Sequence, residues 1–129
     1  RPEMVQNSKV LLVDDEVDFR EIMGAFLKRR QIAHETAGGC LEALDWIGRD
    51  HFNVVVMDVV MPGLDGLSCM IEMKKLQPDL AIIILTGNAS INHGVLSMKQ
   101  GAFDYCMKPV DFEELFEKIV LASEKSRAA

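Results

Sequence analysis

Five polar residues close four apolar runs, and their types suit phosphoryl chemistry. Asp58 ends Val54-Val55-Val56-Met57, and Asp14 and Asp15 end Lys9-Val10-Leu11-Leu12-Val13. Thr86 ends Ala81-Ile82-Ile83-Ile84-Leu85, and Lys108 follows Tyr105-Cys106-Met107. Crowded carboxylates repel one another and stay ionised only if a cation neutralises them. An all-oxygen donor set favours Mg²⁺ or Mn²⁺, and Mg²⁺ leaves room for a phosphate beside few carboxylates. A carboxylate next to such a metal can attack phosphorus and become an aspartyl phosphate. An ammonium and a hydroxyl then steady the equatorial oxygens of the transferring group. Asp58 is the candidate nucleophile, Asp14, Asp15 and Asp58 the candidate metal ligands, and Lys108 and Thr86 the candidate oxygen donors' partners. No glycine-rich phosphate loop and no GxGxxG occurs, so nucleotide binding has no support. His34, His51 and His93 form no triad with a serine or cysteine and read as surface residues.

Each of these residues also has a plain reading. Asp14-Asp15 would cap a helix, Asp58 a turn, Thr86-Gly87 would be turn chemistry, and Lys108 a solvated lysine. Their shared place at the same ends of four runs favours a site. That place depends on the elements. Short β-branched runs read as strands buried on both faces. Between them, Phe19, Ile22, Met23, Phe26 and Leu27 repeat at helical spacing, closed by Lys28-Arg29-Arg30. Ala33 to Ala37 is a weak strand ended by Gly38-Gly39, and Leu41, Leu44 and Ile47 mark a short helix stopped near Gly48. Gly66 to Leu76 reads as a helix, and Ser90 to Gln100 as a poor one, with Gly94 inside it. The last helix starts at Asp111, with Glu114 three residues on as a capping box.

Five strands alternating with five helices predict an α/β, flavodoxin-like, doubly wound parallel sheet of order 2-1-3-4-5. Its site belongs where strand order reverses, between the first and third strands, which are those ending in Asp14-Asp15 and Asp58. The 129 residues suit one domain. With 49% hydrophobic and 26% charged residues the chain is not a disordered one. A net charge of −6 argues against nonspecific nucleic-acid binding. The apolar runs fall far short of the roughly 20 residues that cross a bilayer, so a cytoplasmic protein with no membrane contact is expected. Cys40, Cys69 and Cys106 are odd in number and widely spaced, and are expected as reduced, core or half-buried thiols.

VLLVDDE, VVVMDVVMPGLDG, IIILTG and FDYCMKP resemble, in order and spacing, the receiver domain of two-component response regulators. The resemblance covers residues 8–122, leaving 1–7 and 123–129 as termini or linker stubs. It implies Asp58 as phosphoacceptor, taking its phosphoryl group from a histidine kinase or phosphotransfer protein. It implies Mg²⁺ on Asp15, Asp58 and the backbone carbonyl of Val60, with Asp14 acting through water. Thr86 and Lys108 would hold phosphoryl oxygens, Tyr105 would be the aromatic switch, and Pro109 the cis proline. Val60 and Asn88, which flank the attack path in that family, and the flexible Gly87 imply slow self-dephosphorylation. The state would pass to the surface of helix 4, strand 5 and helix 5. That surface would serve an output domain beyond the C-terminus or a homodimer of the phosphorylated form. Two rival readings remain. One is a Mg²⁺-dependent phosphatase with an aspartate nucleophile, which would want a carboxylate where Val60 stands. The other is a receiver-like scaffold acting without phosphorylation.

Overall fold

The computed structural model describes residues 7–59, 65–87 and 96–128. The elements run β1 (Lys9–Val13), α1 (Val17–Arg29), β2 (Ala33–Ala37), α2 (Cys40–Arg49), β3 (Val54–Asp58), α3 (Gly66–Leu76), β4 (Ala81–Thr86), α4 (described at residues 96–99), β5 (Asp104–Met107) and α5 (Phe112–Ala128). All strands are parallel, in the order β2-β1-β3-β4-β5. This is the predicted flavodoxin-like sheet. Every residue of β3 and β4 is buried, which is why those runs are apolar without alternation. Among the described residues no helix is long and apolar enough to cross a membrane.

The sheet divides the core in two. On one face α1 and α5 cover Leu12, Val56 and Ile83 with Met23, Leu27, Leu115 and Ile119. On the other α2 and α3 cover Leu11, Met57 and Ile84 with Ala43, Ile47, Met70 and Met73. Arg30, just past α1, lies 3.7 Å from the ring centre of Phe26 and 5.0 Å from that of Phe116, and it pairs with Glu113. Such a stack adds about 0.5–1 kcal/mol at a partly exposed site and ties α1 to α5. At the start of α5, Asp111 accepts from the backbone N–H groups of Glu113 and Glu114 at 3.0 and 3.2 Å, so the predicted cap forms. The helix continues past residue 122 to Ala128, with Ser123 and Ser126 buried.

Two expectations need correction. The helical stripe of α2 is not Leu41-Leu44-Ile47, because Leu41 is 80% exposed and the buried face is Cys40, Ala43 and Ile47. Small residues let that face approach the sheet closely, and the larger Leu41 is left on the outside. The cysteines are not all reduced thiols either. Cys40 and Cys69 form a disulfide with Cα atoms 5.9 Å apart across a separation of 29 residues, while Cys106 is free and buried. Their strands are not neighbours, but α2 and α3 pack side by side on one face of the sheet. The crossovers therefore bring together two cysteines that no local spacing links.

Candidate functional site

Strand register sets the rim. Val13 pairs with Met57, so Asp14 and Asp58, each one residue on, emerge side by side. Asp58 pairs with Leu85 and Thr86 with Met107, which sets Thr86 and Lys108 each one step further along the rim. Side chains alternate along a strand. Asp14 and Asp58 thus keep the parity of Leu12 and Val56, on the α1/α5 side, and Thr86 keeps that of Ile84, on the other. Backbone bonds fix the strand ends. Asp14 N–H donates to Ala37 O at 3.1 Å, Val59 N–H to Leu85 O at 3.1 Å, and Lys108 N–H to Thr86 O at 2.7 Å.

Lys108 closes the site from β5. Its ammonium donates to Asp58 Oδ2 at 2.6 Å, to Glu16 Oε1 at 3.1 Å and to Asp14 Oδ2 at 3.2 Å. The pKa of Lys108 is raised. Burial is the largest single influence and acts to lower it, but the bonds to Asp58 and Glu16 and the charge of Asp14 outweigh it. The Asp14 carboxyl is fully buried and is pushed above its ordinary value, first by burial. The N–H of Glu16, bonded to Asp14 Oδ1 at 2.9 Å, and the Lys108 charge pull it the other way. Arg20 donates to the backbone oxygen of Asp14 at 2.6 Å, which holds the first strand end in place. Thr86 is fully buried, and its Oγ1 has no hydrogen-bond partner among the described residues. A buried hydroxyl without a partner costs about 1–3 kcal/mol, so its persistence calls for a reason such as strain, a catalytic role or a bound group.

Asp14, Asp58, Thr86 and Lys108 are thus gathered at one rim. Asp15 is exposed and is not in the close acidic group, which among the described residues is Asp14, Glu16 and Asp58, with oxygens within 4.8 Å of one another. Sequence reasoning missed Glu16. The available signal was its place directly after Asp14-Asp15, where a helix N-cap belongs. It does occupy the N-cap position of α1, but its side chain makes no capping bond and reaches Lys108 instead. Val60, with Pro62, Gly63, Asn88 and Gly94, lies outside the described residues. Tyr105 is half-buried on β5; its backbone oxygen accepts from Lys118 at 2.6 Å, and that ammonium stands 5.8 Å from the ring centre. The Lys108–Pro109 peptide bond is cis.

The oxygen-only donor set fits a hard divalent cation. Asp14, Glu16 and Asp58 bring three carboxylates together, and among the described residues Lys108 pairs with all three through a single positive charge. The same three residues that form the close acidic group already hold the lysine, so a second cation here would share their oxygens with it.

The response regulator receiver domain family matches residues 10–120. The chain belongs to this family. It is 33% identical over 118 residues to the C4-dicarboxylate transport transcriptional regulatory protein DctD of Rhizobium meliloti, covering 92% of this chain and 26% of that protein. It is 36% identical over 111 residues to the response regulator MprA of Mycobacterium leprae, covering 86% of this chain and 49% of that protein. Among solved structures, a response regulator receiver domain protein from Clostridium thermocellum superposes with a TM-score of 0.87 at 32% identity, covering 94% of this chain and 98% of that one. NtrX from Brucella abortus superposes with a TM-score of 0.88 at 31% identity, over 94% of this chain and 28% of that one. The receiver thus spans about a quarter to a half of the length of these curated relatives, whose names are those of regulators.

Proposed function

We propose that this receiver domain is a phosphorylation-controlled switch with Asp58 as its phosphoacceptor. The observation that carries this reading is the contact of Lys108 with Asp58, two residues 50 positions apart whose charged atoms lie 2.6 Å apart at one rim. A carboxylate oxygen of Asp58 attacks the phosphorus of a phosphohistidine. The P–N bond breaks, and the imidazole of the kinase or phosphotransfer protein leaves with a proton. Lys108 draws one oxygen of the transferred group, and the unpartnered Thr86 hydroxyl donates to another. A Mg²⁺ or Mn²⁺ ion would be held by Asp15, Asp58 and the carbonyl of Val60, with Asp14 through water, and would neutralise charge on the phosphoryl oxygens. Glu16 stays with Lys108 and keeps that side chain aimed at the site. The phosphatase and scaffold readings draw no support from the relatives, which are regulators.

The output surface is α4, β5 and α5. Leu96, Met98, Met107 and Leu121 are each more than a third exposed there, and exposed apolar groups of this size mark docking faces when they cluster. That face serves an output domain or a second phosphorylated receiver. When Thr86 turns to a phosphoryl oxygen it vacates space behind it, and the Tyr105 ring moves inward. The domain works in the cytoplasm, where its phosphoryl donors are. Hydrogen exchange with and without beryllofluoride, a phosphoryl mimic, tests the switch. Protection is expected to change most between Thr86 and Cys106, and Thr86→Ala is expected to blunt it. Changes confined to Asp14, Asp15 and Asp58, or a Thr86→Ala variant that responds like the parent, would overturn the coupling.

The metal set has its own test. Calorimetric titration is expected to show Mg²⁺ affinity falling about tenfold or more in Asp15→Ala, since losing even an outer-shell partner costs about that much, and much less in Glu16→Ala. The reverse order would move the ion onto the group that now holds Lys108.

A further inference from the structure

We propose that Cys40 and Cys69 are a reversible dithiol–disulfide couple that sets how firmly the acidic rim is held, and with it the rate at which Asp58 is phosphorylated. This second part rests on Asp58 being the phosphoacceptor. The bridge joins the two pieces of backbone that present the key aspartates. On one side, Cys40 follows β2 by three residues, and the last carbonyl of that strand, Ala37 O, accepts the N–H of Asp14 at 3.1 Å. On the other, Cys69 lies one turn into α3, whose first residue packs against the residue after Asp58. A Cβ at Gly66 would come within 2.6 Å of Val59 O. The covalent path Ala37–Cys40–Cys69–Gly66 therefore runs from the anchor of Asp14 to that of Asp58.

The two sulfurs are unequal, as an exchangeable couple requires. Cys40 is the first residue of α2, behind an N-cap glycine that offers no side-chain cap. A thiol at a helix N-terminus has its thiolate favoured and is the better attacking or leaving group. Both sulfurs are buried, Cys40 at 4% exposure and Cys69 at none, and Gly39 beside Cys40 has nothing within 4 Å of where a Cβ would stand, so exchange starts at Cys40 when the first turn of α2 opens locally. Oxidation then proceeds by exchange with a low-molecular-weight disulfide such as oxidised glutathione. The Cys40 thiolate attacks one sulfur and expels the first small thiol. Cys69, losing its proton, attacks Cys40 in the mixed disulfide and expels the second. Two protein thiols are oxidised and one small disulfide is reduced to two thiols. In a thiol-buffered compartment the state of such a pair is set by its reduction potential against the glutathione poise.

The test uses the whole chain equilibrated in oxidised or reduced glutathione, then denatured, alkylated with iodoacetamide and weighed. Three alkyl groups are expected on the reduced chain and one, on Cys106, after oxidation. In the folded protein, hydrogen exchange at the Asp14 and Val59 amides is expected to slow at least about fivefold on oxidation, because the cross-link removes openings of the rim. Labelling by acetyl phosphate with Mg²⁺ is expected to be at least about twofold faster in the oxidised form, the low end for coupling between neighbouring sites. Cys40→Ser and Cys69→Ser should behave as the reduced chain at either poise. Three alkyl groups after oxidation, equal exchange in both forms, or labelling rates that ignore the poise would overturn the proposal. Absence of labelling in both forms, with the exchange difference intact, would refute the phosphoacceptor reading while supporting the couple's hold on the rim.

Discussion

At the N-terminal end of the sheet, Ser8, Asn53, Ser123 and Ser126 are buried, and they hydrogen-bond to one another. Ser8 meets Ser123, Asn53 donates to Ser126 at 3.4 Å, and Asn53 accepts from the N–H of Lys9 at 3.1 Å. At the C-terminal end, Asp14, Asp58 and Thr86 are buried as deeply but are treated differently. Asp14 is driven up from its ordinary pKa by burial, Lys108 is shared among three carboxylates, and the Thr86 hydroxyl has no partner among the described residues. Both ends hold polar groups that folding took out of water, at a cost of a few kcal/mol unless bonded. One end spends its polar groups on fastening α5 to β1 and β3. The other keeps a donor unused and acids crowded, which is what the proposed phosphoryl chemistry would use. The same fold thus separates a structural polar cluster from a chemical one by the direction of its strands.

That contrast can be broken from either end. The largest effect on stability is expected at the satisfied end. Asn53→Ala leaves the Lys9 N–H and Ser126 without their partner, and should cost about 2–3 kcal/mol in urea unfolding while leaving phosphoryl labelling unchanged. A loss below about 0.5 kcal/mol would mean that the cluster is not structural. Thr86→Val should move the opposite way, stabilising the protein by about 1 kcal/mol because it deletes an unpaired hydroxyl of similar shape, while impairing the response to beryllofluoride. Destabilisation by that substitution would show that the hydroxyl already has a partner.

The smallest effect is a pH dependence. The folded pKa of Asp14 is raised, so its contribution to stability is present below the unfolded value and is lost as pH rises through the folded value. In Mg²⁺-free buffer the urea midpoint of the parent should therefore fall relative to Asp14→Asn as pH rises above the ordinary carboxylate range. A parent that gains on the variant over that rise would show Asp14 to be stabilised as an anion by Lys108.

How much of this could be read from the sequence follows from the same contrast. The buried strands, the cap at Asp111 and the alignment of Asp14, Asp58, Thr86 and Lys108 are local patterns repeated along the chain, and strand direction alone sends their ends to one rim. What was hidden needed tertiary neighbours. Cys40 and Cys69 meet because β1 lies between β2 and β3 while α2 and α3 share a face. Leu41 looks like a core residue until the closer packing of Ala43 decides the helix face. Ser8, Asn53, Ser123 and Ser126 are ordinary polar residues in sequence, and only their burial together gives them a role. Glu16 drew no reading of its own in the sequence, because only the fold brings its carboxylate to Lys108, 92 positions away.

The central claim, that the crowded end exists to phosphorylate Asp58, is met most directly by intact-mass measurement after incubation with acetyl phosphate and Mg²⁺. The parent should gain one phosphoryl group only when the metal is present, and Asp58→Asn, which keeps the shape of the side chain but removes the nucleophile, should gain none. Equal labelling of the two proteins, or labelling that ignores Mg²⁺, would contradict it.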